Sequence, residues 1–162
     1  EEVKNRLDNF YYPYHKRLQE LLNFSIENFG EAILFDVHSM PHSCLESITD
    51  ERSCAPHIVL GDCFGSSCSP SLSQEVFDIF VAEGFNVKWN RPFSGGFITK
   101  NYGLSQPNVE VIQIEIDRSL YMDENSFKLH SGFFDLKKKL QNIFPLLSKT
   151  AEKKIGSFKA AE

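Results

Sequence analysis

Three side chains suited to hydrolytic chemistry lie at the ends of two hydrophobic segments. Asp36 and His38 close the apolar segment 31–38, and Glu115 lies in the alternating segment 109–118. Side chains two residues apart on a strand face the same way, so Asp36 and His38 share a face if 31–38 is a strand. Open α/β sheets bind ligands at the carboxyl ends of their strands. We therefore expect a metal-ligand or general-base site there, with Glu115 pointing into it.

The segment 109–118 has the clearest strand pattern in the chain. Apolar and polar residues alternate in it: Ile112, Gln113, Ile114, Glu115, Ile116 and Asp117. Val109 and Val111 extend the apolar character, which favours a central strand over an edge strand. A carboxylate buried on such a strand needs a partner, because an unpaired buried charge is costly. Glu115 could therefore be a catalytic group or half of an ion pair with Arg91 or Arg118.

Helices are predicted in three places by apolar residues at helical spacing. They cover residues 4–28, 74–83 and 133–147. Pro13 predicts a kink in the first helix, or a restart with Pro13 in its first turn. Ser73 is predicted to cap the second helix, and Pro145 to end or kink the third.

Two further strands are predicted over residues 57–62 and 85–89, and residues 39–56 are predicted to form a loop. Strands that alternate with helices indicate an α/β fold, here a mixed central sheet flanked by helices. Gly95 and Gly96 allow a sharp turn or a close approach of the backbone to a ligand. The loops over 39–56 and 90–104 would line a specificity pocket.

The composition fits one globular domain over the 162 residues. A formal charge of −5 does not favour nucleic-acid binding. No apolar run approaches the roughly 20 residues that span a bilayer, and no signal peptide opens the chain. The four cysteines, Cys44, Cys54, Cys63 and Cys68, form no CxxC pair. Since no secretion signal accompanies them, we expect reduced thiols in a cytoplasmic protein.

Four segments, in order, resemble the N-formylglutamate amidohydrolase family. They are Asp36–Pro41, Gly61–Cys68, Asn90–Thr99 with Tyr102-Gly103, and Gln113–Glu124, with Tyr14-His15 in the opening helix. The resemblance covers nearly the whole chain. It implies an α/β/α fold similar to the zinc carboxypeptidases and aspartoacylase-like hydrolases, and hydrolysis of N-formyl-L-glutamate to formate and glutamate.

The resemblance also implies roles for individual residues. His38 would be a zinc ligand, and Glu115 the general base that activates water. Arg91 or Arg118 would hold a substrate carboxylate beside the Gly95-Gly96 turn. Asp36 could orient His38 by accepting a hydrogen bond from the ring nitrogen that does not bind the metal.

The chain departs from the family's pattern in its metal ligands. The other ligands are expected upstream of the opening helix, and no histidine precedes His15. Together with the absence of an initiator Met, this predicts a domain that lacks an N-terminal portion, or one whose site has been lost. The alternatives are therefore a deacylase or carboxypeptidase-like hydrolase of another small N-acylated acid, or an inactive truncated member.

Simpler roles compete with several of these assignments. Asp117 and Arg118 could pair with each other. His42 and His57 are spare candidates for metal binding, and His15 is predicted to be packed in the fold or to support a ligand from behind. Cys68 has no His–carboxylate pair placed beside it by spacing, which disfavours a thiol mechanism.

Overall fold

The computed structural model describes residues 1–46 and 55–159, and a four-stranded mixed sheet lies at its centre. The strands are β1 (Ala32–Met40), β2 (Ile58–Gly61), β3 (Val87–Trp89) and β4 (Val109–Asp117). They lie in the order β1-β4-β2-β3. β1 is parallel to β4, β2 is antiparallel to β4, and β3 is parallel to β2. The predicted α/β fold with a mixed central sheet is confirmed.

Helices and turns connect these strands. They are α1 (Glu2–Arg6), a π-helical turn (Leu7–Tyr11), α2 (Tyr12–Phe29), α3 (Ser43–Glu46), α4 (Pro70–Ala82), α5 (Phe97–Gly103), a 3₁₀ turn (Arg118–Leu120) and α6 (Gly132–Lys159). A short hairpin of β5 (Met122–Asp123) and β6 (Lys128–Leu129) precedes α6. Among the helices of the described residues, none is both long and apolar enough to cross a membrane.

The sheet is covered on both faces. One face of β4, with Ile112, Ile114 and Ile116, packs into a core that includes residues of α4 and α6. On the opposite face, Val109 and Val111 pack with residues of α2 and α5. Burial on both faces explains why β4 carries isoleucines on one face and valines at the start of the other. β4 is therefore the central strand that its sequence predicts.

The opening helix is longer than predicted and consists of three parts. The predicted helix 4–28 begins at Glu2 and ends at Phe29, with the π-helical turn between its two α-helical parts. Pro13 lies in the first turn of α2, where its missing N–H is tolerated. His15 packs as predicted: its Nδ1 lies 2.7 Å from the Tyr102 hydroxyl on α5.

The boundaries of two other helices differ from the prediction. α4 begins at Pro70 rather than at 74, and Ser69 caps it instead of Ser73. The Ser69 hydroxyl accepts the backbone N–H of Leu72 at 3.4 Å, and proline suits the first helical position. Pro145 lies inside α6 and does not end it.

The two predicted loops contain more regular structure than expected. β1 continues to Met40 and α3 follows, so the prediction of a loop from residue 39 is wrong at its start. Residues 47–54, and with them Cys54, lie outside the described residues. α5 occupies the second half of the predicted loop 90–104, because Phe97, Ile98 and Tyr102 supply a short helical face.

Candidate active site

Two neighbouring strands present four polar side chains on one face of the sheet. The parallel register of β1 and β4 pairs Asp36 with Gln113 and His38 with Glu115. Residues in register on parallel strands point to the same face. The imidazole and the carboxylate that sequence analysis singled out are therefore adjacent, near the carboxyl ends of both strands.

His38 is held by the carboxylate two residues before it. Asp36 Oδ1 lies 2.9 Å from His38 Nε2, and the His38 side chain is 47% exposed while that of Asp36 is 11% exposed. The carboxylate favours the tautomer with its proton on Nε2, which leaves Nδ1 as an acceptor. Asp36 is therefore placed to orient His38, and its role in a metal site stays a prediction.

Glu115 is buried, with 6% of its surface exposed. Burial raises the pKa of the Glu115 carboxyl above its ordinary value, and the charge of Asp36 adds to this effect. A hydrogen bond from Gln113 and the charges of His38 and Arg118 oppose the rise of the pKa without cancelling it. A carboxylate in this setting accepts a proton more readily than one in water.

Gln113 connects Glu115 to the predicted glycine turn. Its Nε2 donates to Glu115 Oε1 at 2.6 Å, and its Oε1 accepts the backbone N–H of Gly96 at 2.5 Å. Sequence analysis placed Gln113 on the polar face of the strand but gave it no role. Its spacing of two residues from Glu115 was the available signal.

The turn at Gly95 and Gly96 lies tightly against the sheet. Gly95 has φ +129°, and a Cβ there would come within 2.9 Å of Cys63 Sγ and of Thr99 Cγ2. Only glycine combines this backbone conformation with such a close approach. The structure thus accounts for the turn, while a role for Gly95 and Gly96 in substrate binding stays a prediction.

The two candidate arginines differ in their surroundings. Arg118 Nε donates to Ser39 Oγ and its Nη2 to the Ser39 carbonyl, each at 3.2 Å. Arg118 therefore braces the end of β1, and its charge reaches Glu115. Arg91 is exposed and makes no hydrogen bond or ion pair with the residues that the structure describes.

Asp117 does not pair with Arg118, so that alternative is wrong. Asp117 caps the 3₁₀ turn by accepting the backbone N–H of Ser119 at 2.9 Å, and it lies 2.8 Å from His42 Nδ1. His42 is therefore engaged at the strand ends. His57, the other spare candidate, accepts a backbone N–H through its Nδ1.

The donor set fits part of a zinc site. An imidazole whose second nitrogen is held by a carboxylate is the usual form of a zinc-binding histidine, and His38 with Asp36 matches it. Zinc takes three or four protein ligands. Within residues 1–46 and 55–159, no group of three His, Cys, Asp or Glu side chains is placed to hold a metal ion. The described residues therefore offer one candidate ligand, His38, and do not by themselves complete a zinc site.

Comparison with known proteins gives consistent results. A model of the family described as N-formylglutamate amidohydrolase matches residues 1–122. An N-formylglutamate deformylase of Pseudomonas putida is 34% identical over 125 residues, which are 76% of this chain and 46% of the relative. One of Pseudomonas aeruginosa is 35% identical over 127 residues, which are 78% of this chain and 47% of the relative.

The similarity extends to three dimensions. The crystal structure of an N-formylglutamate amidohydrolase from Ralstonia eutropha JMP134 matches with a TM-score of 0.83 and 29% identity. The match covers 96% of this chain and 55% of that one. The chain thus spans about half the length of the curated relatives it matches.

Proposed function

Because the chain belongs to the N-formylglutamate amidohydrolase family, we propose that it carries the general base and one metal ligand of an enzyme that hydrolyses N-formyl-L-glutamate. The products would be formate and glutamate. The observation that supports the proposal most directly is the register pair of His38 and Glu115, which lies inside the matched range. A cytoplasmic location remains a prediction from the sequence.

In the proposed reaction Glu115 moves the proton. The oxygen of a water molecule forms a bond to the formyl carbon while the Glu115 carboxylate takes a proton from that water. The C–N bond then breaks, and Glu115 returns the proton to the amine of the departing glutamate. Glu115 suits this role because it is buried and is held by a single hydrogen-bond donor, Gln113, among the described residues.

We propose zinc as the metal and His38 as one of its ligands. When bound, the ion would lower the pKa of water from 15.7 to about 7 and polarise the formyl carbonyl. Asp36 holds Nε2 of His38, so Nδ1 is the nitrogen available to the metal. The remaining ligands would come from outside the described residues.

The substrate carboxylates need a cation, and two are candidates. Arg91 is exposed, and Arg118 lies close enough to influence Glu115. If either binds substrate, its replacement by lysine should raise KM about tenfold with a smaller change in kcat, because a bidentate contact is lost. An unchanged KM in both variants would remove the arginines from substrate binding.

Formate release tests the function. The full-length protein is incubated with N-formyl-L-glutamate and zinc, and formate is measured over time. Glu115→Gln should lower the rate by about 10²–10⁴-fold, which is the usual contribution of a general base. Glu152→Gln, which changes an exposed carboxylate on α6, is the matched control. No release by the unchanged full-length protein, or equal rates for Glu115→Gln, would contradict the proposal, and release from other N-acyl amino acids alone would change the substrate.

Metal content tests the ligand. Zinc bound to the purified full-length protein, measured by mass spectrometry, should fall on His38→Ala and stay the same on His57→Ala, since His57 hydrogen-bonds the backbone before β3. Equal zinc in both variants would show that His38 is not a ligand.

A further inference from the structure

Gln113 is the only hydrogen-bond donor to Glu115 among the residues that the structure describes. It is itself buried, with 5% of its surface exposed. A buried amide in contact with a buried carboxylate can be held in only a few geometries, because each polar atom needs a partner. What fixes Gln113 therefore also fixes Glu115.

The backbone of the glycine turn fixes the orientation of Gln113. The N–H of Gly96 can only donate, so the Gln113 oxygen has to face it, and the two atoms lie 2.5 Å apart. The Thr99 hydroxyl lies 3.5 Å from the same oxygen and supports this orientation. With the oxygen placed, the Gln113 NH₂ group points to Glu115 Oε1 at 2.6 Å.

The position of the glycine turn is fixed by its close contact with the sheet. A Cβ on Gly61, at the end of β2, would lie 2.8 Å from Gly95 N and Ser94 C. A Cβ on Gly96 would lie 3.2 Å from the Gln113 oxygen. The turn and the amide therefore meet without room for a side chain between them.

We propose that Gln113 is a positioning residue that couples the Gly95-Gly96 turn to the Glu115 carboxylate. The Gln113 amide contacts both the turn and the Glu115 carboxylate. A ligand that moves or stiffens the turn would therefore also change the orientation of the Glu115 side chain. The catalytic consequence rests on the proposed function, in which Glu115 is the base. The coupling itself is a property of the fold.

Hydrogen exchange of the Gly96 amide tests the coupling without any need for turnover. Gln113→Met removes both hydrogen bonds at nearly constant volume and should speed Gly96 exchange about five- to tenfold, as expected for one lost hydrogen bond. Gln106→Met is the matched control: Gln106 bonds Gln19, away from the site, and the change should leave Gly96 exchange as it is.

A double-mutant cycle distinguishes coupling from a local contact. Glu115→Ala should speed Gly96 exchange in the wild-type background and have no effect in the Gln113→Met background, because residues that act through one another are non-additive. Unchanged Gly96 exchange in Gln113→Met, or equal effects of Glu115→Ala in both backgrounds, would overturn the proposal.

Kinetics give a second readout that a purely structural role would not move. Gln113→Met should lower kcat about tenfold or more per folded molecule with KM within twofold, and Gln106→Met should leave both unchanged. An unchanged kcat for Gln113→Met would show that the coupling has no catalytic consequence and would overturn that part of the proposal. If the unchanged full-length protein releases no formate, the proposed function fails, and the hydrogen-exchange cycle still tests the coupling between the turn and Glu115.

Discussion

At the scale of single residues, the site consists of two pairs with opposite exposure. The Asp36–His38 pair on β1 is half open to solvent at His38, while the Gln113–Glu115 pair on β4 is buried. Each pair is joined by a hydrogen bond or ion pair between residues two apart on one strand. The solvent-accessible imidazole of His38 suits the binding of an exchangeable metal ion, and the buried carboxylate of Glu115 suits proton transfer.

The contact between Asp36 and His38 predicts a measurable effect on metal binding. Asp36→Asn keeps the shape of the side chain but removes the charge that holds the His38 tautomer. Loss of such a partner costs about 10–100-fold in metal affinity. Competition with a chromophoric chelator would measure the zinc affinity of both proteins, and equal affinities would show that Asp36 does not act through His38.

Cys68 predicts slow thiol chemistry. The side chain is 8% exposed, and burial raises the pKa of its thiol to about 11. Little thiolate is then present at pH 8, so alkylation by iodoacetamide should be at least tenfold slower in the folded chain than in denaturant. Peptide mass spectrometry gives the rate at this site, and a folded rate equal to the denatured one would contradict the burial.

The sequence could predict which residues share a face, but not their partners. Alternation placed Asp36, His38 and Glu115 correctly because the side-chain period of a strand is two. The contact of Arg118 with Ser39, rather than with Asp117, depends on how β1 and β4 align. That alignment joins residues more than 70 positions apart, which no local pattern encodes.

At the scale of elements, one partly buried ion pair joins three of them. Lys154 on α6 contacts Glu110 on β4, and both contact Ser69 at the start of α4. Burial, the largest influence, would raise the pKa of Glu110, but the hydrogen bonds from Lys154 and Ser69 and the charge of Lys154 outweigh it, so the pKa is lowered. Glu110 is thus stabilising in its ionised form.

This pair predicts a pH-dependent contribution to stability. Since the folded pKa of Glu110 lies below its ordinary value of 4.5, the stabilisation is present above that pH and is lost as pH falls through the folded pKa. Glu110→Gln should lower the free energy of unfolding by about 1–3 kcal/mol at pH 7 and by less near pH 3. Urea unfolding at both pH values measures it, with Glu152→Gln as a control, and a pH-independent difference would refute the ionic contribution.

Element boundaries were less predictable than elements. The apolar residues of α4 begin at Leu72, so its first turn, with Ser69 and Pro70, looks like loop in the sequence. α5 is 7 residues long, which is too short for a helical pattern to stand out. Pro145 suggested an end to α6, yet Ile143 and Leu147 are both buried on either side of it. Tertiary packing overrides the local preference at Pro145, whereas Ser69 and Pro70 agree with the local preferences of a helix start.

At the scale of the whole molecule, β1 forms one edge of the four-stranded sheet of described residues. It is 9 residues long, and Val37 on it is 45% exposed. Long apolar edge strands offer unpaired backbone groups to other chains. The order of strands, which leaves β1 at the edge although β4 follows it by some 70 residues, could not be predicted from the sequence because it depends on long-range pairing.

The edge predicts concentration-dependent association. Val37→Lys should weaken self-association of the chain several-fold, because a charged side chain on an edge opposes strand pairing. Val3→Lys adds the same charge on α1, where the side chain is 72% exposed, and should have little effect. Sedimentation velocity over a range of concentrations measures both, and equal behaviour of the two variants would rule out the edge as the contact.

Gly61 carries no chemistry, yet its missing side chain decides how near the backbone of residues 93–95 can come. A methyl group there would lift that backbone, release the amide of Gln113 and disorient Glu115 from the neighbouring strand, where Gly61 pairs with Gln113. A search for inactivating substitutions should therefore recover Gly61→Ala beside changes in the polar residues. The reason for the loss of activity in Gly61→Ala would not be found among the side chains that contact the substrate.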